Sequence, residues 1–320
     1  MFSIPPFLNI LFQFSKIAYS YYLNRHEIHN ELNALSASLK LLPEEINRLS
    51  LYAFLNEFLS STYTYLNLKT LSAAEKQLLY YISVFTANFD DLMDDYGYNA
   101  NDIILTLEGK ESFDESIHKM SLCKTSFNFI TDHHPNIELF NHYFKKAVDA
   151  QERDLAVSKN IPGVKELLKI MEDKGGYSLL MIFSGLSCFK HEHEQAVYEL
   201  GSMIQFANDV FDIYKDTNQE ERTYVTEVES LDKLMNQYQS STLSCFQKWN
   251  KLEMKQTRFN NFWINNYALL SRAEIAIDYY NKAESTKEAM IREEWVCDME
   301  RAINLYKNFT LVNNWFKTNP

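Results

Sequence analysis

The run from Ser72 to Asp95 constrains this chain more than any other. Ser72-x-x-Glu75 has the form of a capping box, and behind it Leu78, Ile82, Phe85 and Phe89 recur at helical spacing on one apolar face. The helix so predicted ends on Phe89-Asp90-Asp91-Leu92-Met93-Asp94-Asp95. Asp90/Asp94 and Asp91/Asp95 are i,i+4 pairs and Asp91/Asp94 an i,i+3 pair. Like charges at these spacings cost roughly 0.2–0.5 kcal/mol per pair. Acids at a helix C-terminus also oppose the backbone dipole. Something should offset both costs, and a hard divalent cation is the natural candidate.

The rest of the chain repeats the helical theme. Only 7 Gly and 6 Pro fall among 320 residues, of which 46% are hydrophobic, so a large packed core is expected and disorder is not. Pro43 followed by Glu44 and Glu45 marks a helix start. Residues 96–110 read as a loop with a short apolar island. Helical patterns then cover about 111–130, 137–158, 164–189 (interrupted at Gly175-Gly176), 191–216, 230–253, 255–284 and 287–317. No strand alternation, short-period repeat or low-complexity tract is present, so the expectation is one all-α domain over residues 1–320.

Several function classes drop out. A net charge of −12 leaves no basic stripe for nucleic acid. Cys123, Cys188, Cys245 and Cys297 are far apart with no CxxC, as in a reduced, cytoplasmic protein without a disulfide framework or zinc site. Phe7–Tyr22 is apolar, but Gln13, Lys16 and several Tyr interrupt it, so it is neither a signal peptide nor a spanning helix. A helix packed on the body is the expectation there, with peripheral membrane contact as the alternative. A di-iron carboxylate protein needs two Glu-x-x-His pairs plus two further Glu, and Glu115-x-x-His118 is the one such pair placed mid-helix. The alternating His191-Glu192-His193-Glu194 cannot converge on one face and reads as a solvated helix start.

A second acidic stretch runs from Asn208 to Asp216. Asn208, Asp212 and Asp216 are spaced i, i+4, i+8 and form one stripe. Extended backwards, both acidic stripes pass into small or weakly polar residues, which suggests a cavity with carboxylates at its mouth or, alternatively, a close-packed helix pair. Mg²⁺ takes oxygen ligands and is commonly completed by substrate phosphates, so the two stripes could hold two or three ions around a diphosphate. Gly175-Gly176 lie inside a helical pattern at a cost of about 1 kcal/mol each, which suggests a break with backbone groups open to a ligand. Lys174, Lys215, Arg222 and Arg153 are candidate diphosphate contacts. Of the many aromatics, Tyr80, Phe89, Tyr177, Phe206 and Phe211 lie about a turn from the motifs and are the candidates to face a cation.

Asp90-Asp91-x-x-Asp94 with Asn208-Asp209-Val210-Phe211-Asp212-Ile213-Tyr214-Lys215-Asp216 resembles the two metal motifs of class I terpene synthases. Asp212 and Asp216 stand where the second motif usually has Ser/Thr and Glu. Lys174-Gly175-Gly176-Tyr177-Ser178 and Arg222-Thr223 look like segments of the bacterial large-terpene synthase branch. The resemblance covers about residues 88–225. It implies a class I isoprenoid synthase fold, an α-helical bundle with a central apolar cavity. It also implies Mg²⁺, three ions as the fuller expectation, held by Asp90, Asp91, Asp94, Asn208, Asp212 and Asp216. The implied reaction is ionisation of a linear prenyl diphosphate to a terpene and pyrophosphate, with a homodimer allowed. Chain-elongating relatives carry an arginine pair after the first motif, where this chain has Tyr96-Gly97-Tyr98-Asn99. The Tyr-x-x-x-Val-Ala-Gly segment of head-to-head synthases is only faintly echoed at 177–186. Those two reactions are the alternatives within the fold, and a non-enzymatic helical binding protein is the alternative outside it.

Overall fold

The computed structural model describes residues 10, 12, 26–35, 39, 41–112, 117–157, 162–284 and 302–319. The segment Phe7–Tyr22 (apart from residues 10 and 12), Cys297 and Glu115 therefore lie outside the described residues. Among those described, every regular element is helical. They include α1 (Pro43–Leu66), α2 (Ala73–Asp94), α3 (Ala100–Leu107), α4 (His118–His133), α5 (Ile137–Leu155), α6 (Val164–Phe183), α7 (Glu194–Asn218), α8 (Tyr224–Glu227), α9 (Leu231–Asn250), α10 (Gln256–Glu284) and α11 (Ala302–Thr318). A short helix also covers 26–35. The all-α expectation holds. No described helix is long and apolar enough to cross a membrane.

Two units are resolved by their internal contacts. One comprises Met1–Ile17, Asp149–Leu180 and Lys190–Pro320, the other Ala18–Val148 and Met181–Phe189. In the second unit α2 packs along α4 and α1. Phe85 and Phe89 meet Phe144, with ring centroids 5.1 Å apart in each case, and Tyr81 stacks on Phe129 at 3.7 Å. In the first unit α10 packs against α7, α9 and α11. Its core is aromatic: Trp249 lies on Phe262, and Phe246, Trp263 and Trp315 form a triangle of rings.

The predicted start signals operate as expected. Ser72 Oγ accepts from the Glu75 amide at 3.2 Å and the Glu75 carboxylate accepts from the Ser72 amide at 2.8 Å. At α1, Pro43 fills the first turn and the Glu45 carboxylate accepts from the Leu42 amide at 2.8 Å. At the far end of α2, Gly97 has φ +69°, a backbone conformation that glycine adopts without strain.

Three local expectations are corrected. Residues 96–110 are not simply a loop, because Ala100–Leu107 is helical and is capped by Asn99 Oδ1 accepting from the Asp102 amide at 2.9 Å. The predicted break at Gly175-Gly176 is absent, since α6 runs unbroken from Val164 to Phe183. The His191–Glu194 start is only partly solvated. His191 is exposed, but His193 is buried against the Trp249 ring, and burial lowers its pKa.

Candidate functional site

Asp90, Asp91 and Asp94 occupy the last two turns of α2, and the structure gives them different surroundings. Asp91 points inward and is 7% exposed. Arg48 of α1 grips both its oxygens, Nη1 to Oδ2 at 2.8 Å and Nη2 to Oδ1 at 2.5 Å. Lys119 of α4 adds a contact at 3.0 Å. Burial opposes ionisation of Asp91, but these two cations outweigh it and hold its pKa below the usual carboxylate value. Asp90 and Asp94 lie on the exposed side of the helix. Part of the electrostatic cost read from the sequence is therefore offset by Arg48 and Lys119, a pair no motif signalled.

The second motif lies on α7. Asn208, Asp212 and Asp216 form the predicted stripe, with Asn208 Nδ2 donating to Asp212 Oδ2 at 3.2 Å. Asp216 is buried. Desolvation, followed by the charges of Asp212 and Glu221, pushes its pKa up to about 7. Asp212 is raised too, mainly by desolvation. Asp209 receives a hydrogen bond from Gln205 at 2.7 Å and is pushed up to about 7 by burial, with Asp154 and Asp216 adding repulsion. Among the described residues, no three His, Cys, Asp or Glu side chains group as a preformed metal site. The stripe's donors are all oxygens, carboxylate and amide, and desolvation raises the pKa of both carboxylates. That donor set suits Mg²⁺ better than zinc.

A raised acid pKa has a definite consequence for stability. The folded state holds a proton that the unfolded state releases. The associated stability is present below the unfolded carboxylate range and is lost as pH rises through about 7. Metal-free protein is accordingly expected to melt at lower temperature at pH 8 than at pH 5.5. Asp209→Asn should remove about 1–2 kcal/mol of that difference, after discounting for partial solvation. Differential scanning calorimetry in a chelator checks this, and an Asp209→Asn variant with the wild-type pH slope would contradict it.

The crossing of α6 and α7 explains the glycines. A Cβ at Gly175 would lie 2.3 Å from the Gly201 carbonyl oxygen, and one at Gly176 would lie 2.4 Å from the Tyr198 ring. Gly175 and Gly176 thus serve the close approach of α6 and α7. Tyr177 stands edge-on to Tyr198 at 5.2 Å. Three of the predicted diphosphate contacts have protein partners. Arg153 pairs with Asp173 at 2.8 Å, Lys174 with Asp154, and Arg222 grips Glu227 through two bonds of 3.0 and 2.8 Å. Lys215 is exposed beside Asp212 and Asp216. Asp173 is the hub that sequence reading missed, since Lys169 at 2.9 Å and the Tyr198 hydroxyl at 2.6 Å converge on it as well.

Of the aromatic candidates, Tyr80 is buried and donates to Glu57 at 2.7 Å. Phe89 belongs to the Phe85/Phe144 cluster, and Phe206 is buried between Tyr224 and Tyr238. These three rings are packed as core. Phe211 is half-buried. A separate cleft of 730 Å³ is lined by Tyr65, Leu68, Ser72, Glu75 and His133 among others, and holds none of the predicted site residues. By helix rise, its Glu75 lies about 20 Å along α2 from Asp90.

No protein-family model matches the chain, and no curated protein matches it. A crystal structure of a dehydrosqualene synthase in complex with ligand is similar over 93% of this chain and 99% of that one, at 14% identity and a TM-score of 0.47. A likeness of that size leaves the functional reading to the residues themselves.

Proposed function

We propose that this protein is a Mg²⁺-dependent class I terpene synthase, an isoprenoid synthase that ionises a linear prenyl diphosphate and releases pyrophosphate. The observation that carries the reading is the pair of oxygen-only motifs in order along the chain. Asp90 and Asp94 lie on the exposed edge of α2, and Asn208, Asp212 and Asp216 lie in one stripe of α7. These residues would hold the ions. When bound, Mg²⁺ supplies neutralisation of the departing diphosphate.

The chain's own groups do the rest. The carboxylates would hold the ions, and Lys215 would offer a point charge to the diphosphate oxygens. Arg222 could join it only by releasing Glu227. Apolar and aromatic side chains around the bound substrate would have to keep water from a carbocation. No protein nucleophile is needed, and the sequence offers no Ser/His/Asp or Cys/His constellation.

The test is incubation with Mg²⁺ and prenyl diphosphates of increasing chain length, with products read by gas chromatography–mass spectrometry. A cyclic or linear terpene with equimolar pyrophosphate is expected. A longer diphosphate formed only when isopentenyl diphosphate is added would assign elongation instead. A hydrocarbon of twice the substrate's carbon number would assign head-to-head joining. No turnover and no pyrophosphate would leave a binding protein.

A further inference from the structure

We propose that Arg48 and Lys119 are positioning residues that set the rotation of the last turns of α2, and that Asp91 is their anchor and not a metal ligand. This deepens the proposed function and rests on it for the identity of the bound ions. Arg48 spans a full turn of α2. Besides its two bonds to Asp91, its Nη2 donates to the Ala87 carbonyl at 3.3 Å, and its guanidinium lies 5.8 Å from the centroid of the Tyr52 ring. Lys119 bridges Asp91 and Glu45, at 3.0 Å to each. Glu45 is held in turn by the Leu42 amide at 2.8 Å and by His118 Nε2 at 3.1 Å.

The first turns of α1 and α4 are thereby tied to the last turns of α2. Successive helix residues differ by about 100° in direction. Fixing Asp91 inward therefore fixes where Asp90 and Asp94 project, and both stand on the exposed side. With both Asp91 oxygens engaged by cations, a metal there would have to displace a two-pronged guanidinium contact.

The experiment uses the full chain with Arg48→Met and Arg48→Lys. Hydrogen–deuterium exchange is followed without metal at the amides of residues 91–96, and the Mg²⁺ concentration giving half-maximal pyrophosphate release is measured well below the melting temperature. Arg48→Met should exchange about tenfold faster there. It should also need about tenfold more Mg²⁺, with kcat at saturating Mg²⁺ within about threefold, as for removal of a group that orients ligands from behind. Arg48→Lys should recover part of both effects. Unchanged exchange in Arg48→Met would overturn the clamp. Faster exchange with an unchanged Mg²⁺ requirement would reduce Arg48 to a structural role and overturn the positioning claim. If the wild-type protein releases no pyrophosphate at all, the proposed function falls, while the metal-free exchange still decides the clamp.

Discussion

Asn208→Ala is expected to lower Mg²⁺-dependent pyrophosphate release by at least about 100-fold, the order of loss when one group that stabilises developing charge is removed. The fold should hardly notice. Asn208 is exposed, and its amide donates to Asp212 at 3.2 Å across the helix surface. Truncating such a side chain usually changes stability by less than about 0.5 kcal/mol. Far-ultraviolet circular dichroism and melting temperature should therefore match wild type while activity disappears. Asp90→Ala is the parallel change on α2, with the same expectation. Asp91→Ala is the instructive contrast. It strips Arg48 and Lys119 of a shared partner and should cost about 2–3 kcal/mol, scaled down from a fully buried pair because Arg48 is partly solvated. Lost activity in that variant would not by itself mark a ligand. Full activity in Asn208→Ala or Asp90→Ala would sink the metal-site assignment.

The fold was readable wherever a local rule acted alone. The Ser72/Glu75 box, the Pro43 start and the apolar face of Leu78, Ile82, Phe85 and Phe89 each needed only near neighbours in the chain. The short helix Ala100–Leu107 was missed because eight residues give too little periodicity, although Asn99 and Asp102 carried a capping signal. The Gly175-Gly176 pair was misread because helix propensity counts the missing side chain only as a cost. Its benefit lies on another helix, at Gly201 and Tyr198. The same limit governs the site. Spacing put Asn208, Asp212 and Asp216 on one stripe, and they are there. Spacing alone could not distinguish Asp90 from Asp91, because the distinction is made by Arg48, 43 residues earlier. Nor could it show that Arg153 and Lys174 are paired with Asp173 and Asp154.

Gly201→Ala should destabilise the protein by about 2 kcal/mol or more, although alanine is the better helix former by about 1 kcal/mol. The added Cβ would lie 2.3 Å from the Gly175 carbonyl oxygen and 2.7 Å from Leu179 Cβ. The oxygen belongs to helix backbone and cannot rotate away, so α6 and α7 must separate. Separation shifts the helix that carries Asn208 and Asp212, and activity at a permissive temperature should fall as well. Gly163→Ala is the control, since nothing lies within 4 Å of its added Cβ, and its effect should stay near about 0.5 kcal/mol. Gly175→Ala meets the same crossing from the other side. Once the helices have moved apart for one methyl group, the second meets less resistance. The double variant should therefore lose clearly less than the sum of the two single losses, a coupling expected of residues that share one contact. Denaturant titrations of the four variants measure it. A Gly201→Ala protein as stable as wild type would show that the crossing tolerates a side chain, and the glycines would again need a reason connected with ligand.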